Sequence, residues 1–202
     1  MYSLTFAYCV RMRKLIPLFV IVLVGAILTF AGCQASRSGY KSAPYAVVRS
    51  DGNFELRDYP ALSVVETPMI DGGSGGSFSR LFRFITGGNV AKQKIAMTTP
   101  VLMSGSGSGN MMAFVMPVGI QNVPHSDEAS VTPRTLPAGR FAVMRFSGKR
   151  NIQRETEHLD RLRDWVAAKG YHVSAPPMYA YFDPPWTPSF LRRNEVMLRI
   201  DQ

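Results

Sequence analysis

Arg57-Asp58-Tyr59-Pro60-Ala61 recurs as Arg134-Thr135-Leu136-Pro137-Ala138, with Arg, Pro and Ala at matching places. Each copy leads into an apolar strand and then into a helix. Working outward, β-rich runs at residues 45–49, 54–59, 62–67, 94–103, 111–118, 141–146, 178–182 and 195–200 read as strands bounded by turn residues. Within residues 77–86, Phe78, Leu81, Phe82 and Ile85 fall at i, i+3, i+4 and i+7, and Gly87-Gly88 stop that helix. A second helix is predicted over residues 151–169, with Asn151 as its cap and Gly170 as its stop. Ile152, Leu159, Leu162 and Val166 form its apolar side, and Glu157 and Arg161 an i,i+4 pair on its polar side. The matching order of elements predicts an α+β domain in which two strand-helix-strands units share one core. Strands outnumber helices without regular β-α alternation, which argues against a doubly wound parallel sheet.

The 202 residues are 46% hydrophobic and 18% charged, the composition of one folded domain rather than of a disordered chain or a polytopic membrane protein. Arg11, Arg13 and Lys14 precede residue 33, so 20 of the 23 basic residues remain against 14 acidic ones, an excess of 6. That excess is dispersed. The longest basic runs are Lys149-Arg150 and Arg192-Arg193, whereas a nucleic-acid binder concentrates Lys and Arg on one helix or stripe. No nucleic-acid partner is therefore expected. The cysteines, Cys9 and Cys33, both precede the globular part, which excludes a disulfide framework, a cysteine metal site or a thiol nucleophile within the domain.

Residues 15–30 form an uncharged apolar run behind Arg11, Arg13 and Lys14, the n-region and h-region of an export signal. The run ends in Phe30-Ala31-Gly32-Cys33, which resembles the lipobox of bacterial lipoproteins, although Phe30 replaces the usual Leu. An uncleaved signal anchor is the competing reading, since sixteen apolar residues fall just short of the usual span. Either way the domain lies outside the cytoplasm. Met12 begins a more conventional signal than Met1 does. The expected layout is a lipoprotein signal peptide over residues 1–33, a flexible tether over 34–43 and a globular domain over 44–202. The expected location is the bacterial cell envelope, with the chain held to the membrane through lipid on Cys33. Gln34, where Asp would signal retention at an inner membrane, leans towards an outer membrane.

Catalytic signals are sparse. His125, His158 and His172 show no metal-ligand spacing. Gly72-Gly73-Ser74-Gly75-Gly76 matches G-x-S-x-G and sits between a strand and a helix, as a nucleophile elbow does. The bland reading is a glycine-serine tract like residues 104–109, in a domain small for an α/β-hydrolase. Neither tract carries the Lys-Ser/Thr of a phosphate-binding loop.

Two other segments carry more. Lys94-Ile95-Ala96-Met97-Thr98-Thr99-Pro100-Val101 follows the first helix, and Tyr181-Phe182-Asp183-Pro184-Pro185-Trp186-Thr187-Pro188 leads into Arg192-Arg193-Asn194-Glu195-Val196. Together with Phe54-Glu55-Leu56-Arg57-Asp58-Tyr59 and Phe146-Ser147-Gly148, they resemble the SOUL haem-binding protein family over about residues 44–201. The resemblance implies a twisted, antiparallel-rich β-barrel of about eight strands from two similar halves, flanked by two helices. It also implies haem or another tetrapyrrole as ligand, no catalytic residue, and a groove beside the first helix and the loop over residues 183–191. Where some members present a histidine proposed to ligate haem iron, this chain has Asp58.

Projected at about 100° per residue, Phe78, Leu81, Phe82 and Ile85 share one helix face, while Phe84 points towards Arg80, with Arg83 a turn away. An aromatic ring beside guanidinium groups suits a flat apolar ring bearing carboxylates, which Arg can pair. Core packing beneath the Trp186 loop is the alternative for Phe84. The candidate haem contacts are Phe78, Arg80, Leu81, Phe82, Arg83, Phe84, Ile85, Trp186 and Phe190, with no protein metal ligand among them. Trp186 and Phe190 either form a lid or seal the barrel. Arg192, Arg193, Asn194 and Glu195 read as structural, with an Arg-Glu pair fixing barrel closure. The function expected is a tetrapyrrole carrier, buffer or scavenger. The alternatives are a ligand-sensing or protein-binding module on the same scaffold, and an enzyme, either a serine hydrolase using Ser74 or one that modifies tetrapyrroles. Radiolabelled fatty acid is expected to enter the wild-type chain and not Cys33→Ser, and equal labelling of both would end the lipoprotein reading.

Overall fold

The computed structural model describes residues 39–69, 74–104, 110–120 and 122–201. The stretch read as a signal segment, residues 1–33 with Cys33, lies outside them. The described fold belongs to one compact unit, Tyr40–Gln202. Its strands are β1 (Lys41–Ser42), β2 (Ala46–Asp51), β3 (Phe54–Tyr59), β4 (Leu62–Pro68), β5 (Thr98–Thr99), β6 (Val101–Ser104), β7 (Met111–Val115), β8 (Thr132–Leu136), β9 (Gly139–Phe146), β10 (His172–Val173), β11 (Met178–Tyr181) and β12 (Asn194–Asp201). The helices are α1 (Ser74–Ile85) and α2 (Ile152–Ala168), and a 3-10 turn spans Ser189–Leu191.

The echoed pentapeptide marks a twofold relation in the strand pairing. Ten strands form one sheet, in the order β2-β3-β9-β12-β11-β6-β7-β4-β8 with β10 on β12. From β3 to β8 that order is unchanged when read backwards with β3 and β8, β4 and β9, β6 and β11, and β7 and β12 exchanged. The register obeys the same exchange. Pro60 and Pro137 are 77 residues apart, and shifting the pair Asp58↔Arg140 by that offset gives Thr135↔Ser63, which is also a pair. The helices follow suit: α1 packs on β4 and β7, and α2 on their counterparts β9 and β12.

The sheet does not close into the expected barrel of about eight strands. Its hydrogen-bonded path is open, with β2 at one end and β8 at the other. The two Pro-Ala corners link strands that this path keeps apart. Proline has no N–H to give a ladder, and at Pro60 and Pro137 the chain crosses from one end of the strand order to the other. Covalent corners, not hydrogen bonds, therefore join β3 to β4 and β8 to β9.

Both sheet faces are buried, as the two-residue period of the strands requires. Val64, Val115, Phe141, Val143, Ala180 and Met197 belong to an inner cluster. Their neighbours Val65 and Phe114 pack with Leu81, Phe84 and Ile85 of α1. Ala142, Met144, Val196 and Leu198 pack with Leu159, Leu162 and Val166 of α2. Ile152, expected on that apolar side, is 76% exposed because it sits in the first turn, ahead of the contact with the sheet.

Several boundaries differ from the sequence reading. Residues 94–97 are not strand, and α1 starts at Ser74 within the glycine tract. Lys41 and Ser42, expected in the tether, pair in parallel with Thr98 and Thr99, and Ala43 is buried. Strand β8 escaped notice because it holds Pro133 and polar residues, which an edge strand tolerates. The second helix matches closely: the Asn151 side chain accepts from the Gln153 and Arg154 backbone N–H groups, and Gly170 follows at φ 75°. Asn151→Ala is expected to lower stability by about 1 kcal/mol, which a denaturant titration checks.

Candidate ligand-binding groove

Helix α1 carries an apolar arc of about 160°, wider than the sheet beneath it covers. Leu81, Phe84 and Ile85 take the inner part and are buried. Phe78 and Phe82, one turn apart at its edge, remain 40% and 48% exposed. Their rings stack at 6.0 Å, and Phe78 meets the core ring Phe114 edge-on at 5.2 Å. Opposite them stands the segment after β11. A groove of about 320 Å³ lies between, lined by Tyr40, Phe78, Phe82, Met97, Thr99, Val101, Tyr181, Phe182, Asp183, Pro184, Pro185 and Trp186.

The sequence-predicted residues divide accordingly. Phe78, Phe82 and Trp186 line the groove. Phe190, on the same loop, is 74% exposed and off the lining. Leu81 and Ile85 are core. Phe84 is corrected: it is 1% exposed and faces the core, not a ligand, because the sheet contact is centred between Leu81 and Phe84. Arg80 is engaged by the strand before it. Its Nε donates to Thr67 Oγ1 at 3.0 Å and its Nη2 to the Pro68 carbonyl at 2.6 Å, which ties α1 to the end of β4. Arg83 is exposed but does not line the groove. Tyr40, Met97, Thr99 and Tyr181 were missed because their segments bear no helical or loop signal that would place them together.

No histidine lines the groove. His158 stacks on Phe146 at 4.3 Å, His172 pairs with Asp201, and the His125 carbonyl accepts from Val90 N–H. Asp58 sits elsewhere, held by Nε and Nη2 of Arg140 at 2.7 and 2.8 Å. The Arg140 hydrogen bond holds its carboxyl below the usual range. Among the described residues, no cluster of His, Cys, Asp or Glu could hold a metal ion. A second apolar hollow, where the Pro60 and Pro137 corners meet, measures about 30 Å³, the share of one water in the liquid.

Behind the groove loop lies a buried ion network that the sequence reading glimpsed only as Arg193 and Glu195. Arg57, fully buried, donates to both Glu195 oxygens at 2.7 and 3.0 Å, to Glu55 at 2.6 Å and to the Tyr59 hydroxyl at 3.1 Å. Burial would lower the Arg57 pKa, but its Glu195 hydrogen bonds and charge raise it. Arg193 completes the network on Glu195 at 2.6 Å and places its guanidinium 3.9 Å over the Phe182 ring. Burial pushes the Tyr59 phenol up to about 12 against the pull of Arg57. Burial, followed by a 2.6 Å hydrogen bond to Glu155, pushes Tyr181 up too.

The sequence model of the SOUL heme-binding protein family matches residues 40–199. No curated protein matches the chain. Among solved structures, the EcmrR C-terminal domain aligns at 15% identity and TM-score 0.54, covering 78% of this chain and 98% of that one. An EcmrR–DNA complex aligns at 13% identity and TM-score 0.57, covering 96% and 72%. A hydrolase from Listeria innocua aligns at 8% identity and TM-score 0.53, covering 76% and 94%. At these identities the likeness is one of fold.

Folded Tyr59 keeps its proton at a pH where an unfolded tyrosine, near 10, has lost it. The unfolded chain then binds fewer protons, so stability falls as pH rises. The fall from this residue is expected between pH 10 and about 12. Denaturation midpoints across that window check it, and Tyr59→Phe should remove the Tyr59 part of the slope.

Proposed function

Because this chain belongs to the SOUL heme-binding protein family, we propose that it binds haem or a related tetrapyrrole in the groove between α1 and the loop after β11. It acts as a carrier, buffer or scavenger in the cell envelope, held there by lipid on Cys33, and catalyses no reaction. One observation carries the reading: six of the twelve lining residues, Tyr40, Phe78, Phe82, Tyr181, Phe182 and Trp186, are aromatic, on a groove open to solvent. Such a lining takes a flat apolar ring at roughly 25 cal/mol per Å² of surface removed from water. The serine-hydrolase alternative loses its footing, since a nucleophile elbow needs a parallel sheet and all pairings of the ten-stranded sheet are antiparallel.

The lining also says how the ring sits. Asp183 is its one charged member and no Lys or Arg lines it, so propionates stay at the mouth, near water. Lys41 and Arg83, next in sequence to the lining residues Tyr40 and Phe82, are exposed. With all three histidines off the groove, iron coordination adds little to affinity. Metal-free protoporphyrin IX is therefore expected to bind within about tenfold of haemin, a difference of roughly 1.4 kcal/mol. Phe78→Ala and Phe82→Ala are expected to weaken both ligands, and His125→Ala, His158→Ala and His172→Ala to leave both unchanged. Soret absorbance and tryptophan quenching measure these affinities. A histidine substitution that abolished haemin binding while sparing the metal-free porphyrin would replace this groove with an axial-histidine site.

A further inference from the structure

The aromatic side chains around the groove mouth are exposed beyond what ring binding requires. Trp186 and Phe190 are each 74% exposed, on one loop, and Tyr40, Phe78 and Phe82 are 38–48% exposed beside it. Tryptophan and tyrosine side chains of this kind favour the boundary between lipid and water. Exposed Lys41, Arg83 and Lys94 stand one to three positions in sequence from the lining residues Tyr40, Phe82 and Met97. Chain length adds a third constraint. Tyr40, itself on the groove wall, is seven residues after Cys33, a reach of at most about 25 Å at full extension.

We infer that the groove mouth is a membrane-contact face: Trp186, Phe190 and the edge of α1 rest on an anionic phospholipid bilayer, and the ligand passes between lipid and groove without crossing bulk water. The inference rests on the Cys33 anchor and on the ligand groove proposed above. Basic side chains near an anionic surface add electrostatic attraction, and the aromatic rim supplies the apolar contact. The rest of the chain supplies an internal control, because its other tryptophan, Trp165, stacks on Phe54 at 5.3 Å and donates its indole N–H to Asp51, away from the groove.

The test uses the full acylated chain on vesicles of phosphatidylethanolamine and phosphatidylglycerol. Flotation of the wild type, lost in Cys33→Ser, reports the anchor alone. Lipids brominated near the headgroup report the face: Trp165→Phe isolates Trp186, and Trp186→Phe isolates Trp165. Brominated lipid is expected to remove most of the Trp186 emission and to leave that of Trp165 unchanged. A chain that floats while Trp186 stays unquenched overturns the membrane face and leaves the anchor standing. Trp186 emission that is already blue-shifted without lipid, and insensitive to bromine, also overturns it, because the ring is then covered by protein rather than by lipid. A chain that fails to float removes the anchor, and this inference with it.

Discussion

The Arg57–Glu195 pair joins two strands that are 138 positions apart in sequence and one strand apart in the sheet. Arg57 lies on β3 and Glu195 on β12, with β9 between them in the sheet, and neither side chain touches solvent. Taking two such charges out of water is costly unless their remaining donors and acceptors are met, and removing one partner typically costs about 3–5 kcal/mol. Here Glu55, Tyr59 and Arg193 meet them. The groove depends on this arrangement because Arg193 is also the root of its loop. Its backbone N–H donates to Asp183 at 2.6 Å, its carbonyl accepts from Phe182 N–H at 3.2 Å, and its guanidinium covers the Phe182 ring. The wall facing α1 is thus pinned at both its ends by the same ions that tie β3 to β12.

A wall fixed in advance matters energetically. A loop ordered only on binding would subtract its entropy from the ring's burial, whereas this one is held by Arg193 at its root and by Arg192 on the Thr187 carbonyl at 2.8 Å. On the opposite side, the Phe78 contact with Phe114 anchors the aromatic edge of α1 to the core. The groove is therefore set by contacts that lie behind it.

Much of this was legible in the sequence, at the level where pattern and physics coincide. Matching corners at Pro60 and Pro137 predicted two halves, and the strand register repeats about them. That the sheet stays open between β2 and β8 is a different matter, because it needs the pairing partners to be known. On α1 the periodicity located the apolar arc and misjudged its division. A helix seen alone does not say where the sheet ends, so Leu81, Phe84 and Ile85, which the sheet covers, stood among the candidate contacts beside Phe78 and Phe82. Arg80 suffered from the same limit, since its partners Thr67 and Pro68 come from the strand before it. Arg57 was invisible for another reason: nothing in a charged strand residue announces that its counter-ion stands 138 positions away.

The twofold relation holds for the scaffold and fails for the groove. With Ser77 matched to Asn151, the buried positions Leu81 and Ile85 of α1 fall on Glu155 and Leu159 of α2, which are buried as well. The edge positions Phe78 and Phe82 fall on Ile152 and Thr156, neither of them aromatic. Glu155 departs from Leu81 in kind: it is a buried carboxylate that accepts from Tyr181 and pairs with Arg150 at 3.2 Å. Tyr181 lines the groove, so the second half contributes a fixed ring to the site of the first instead of forming a site of its own. Two copies of one framework therefore yield a single groove, with one helix supplying the aromatic edge and the other holding the far wall in place.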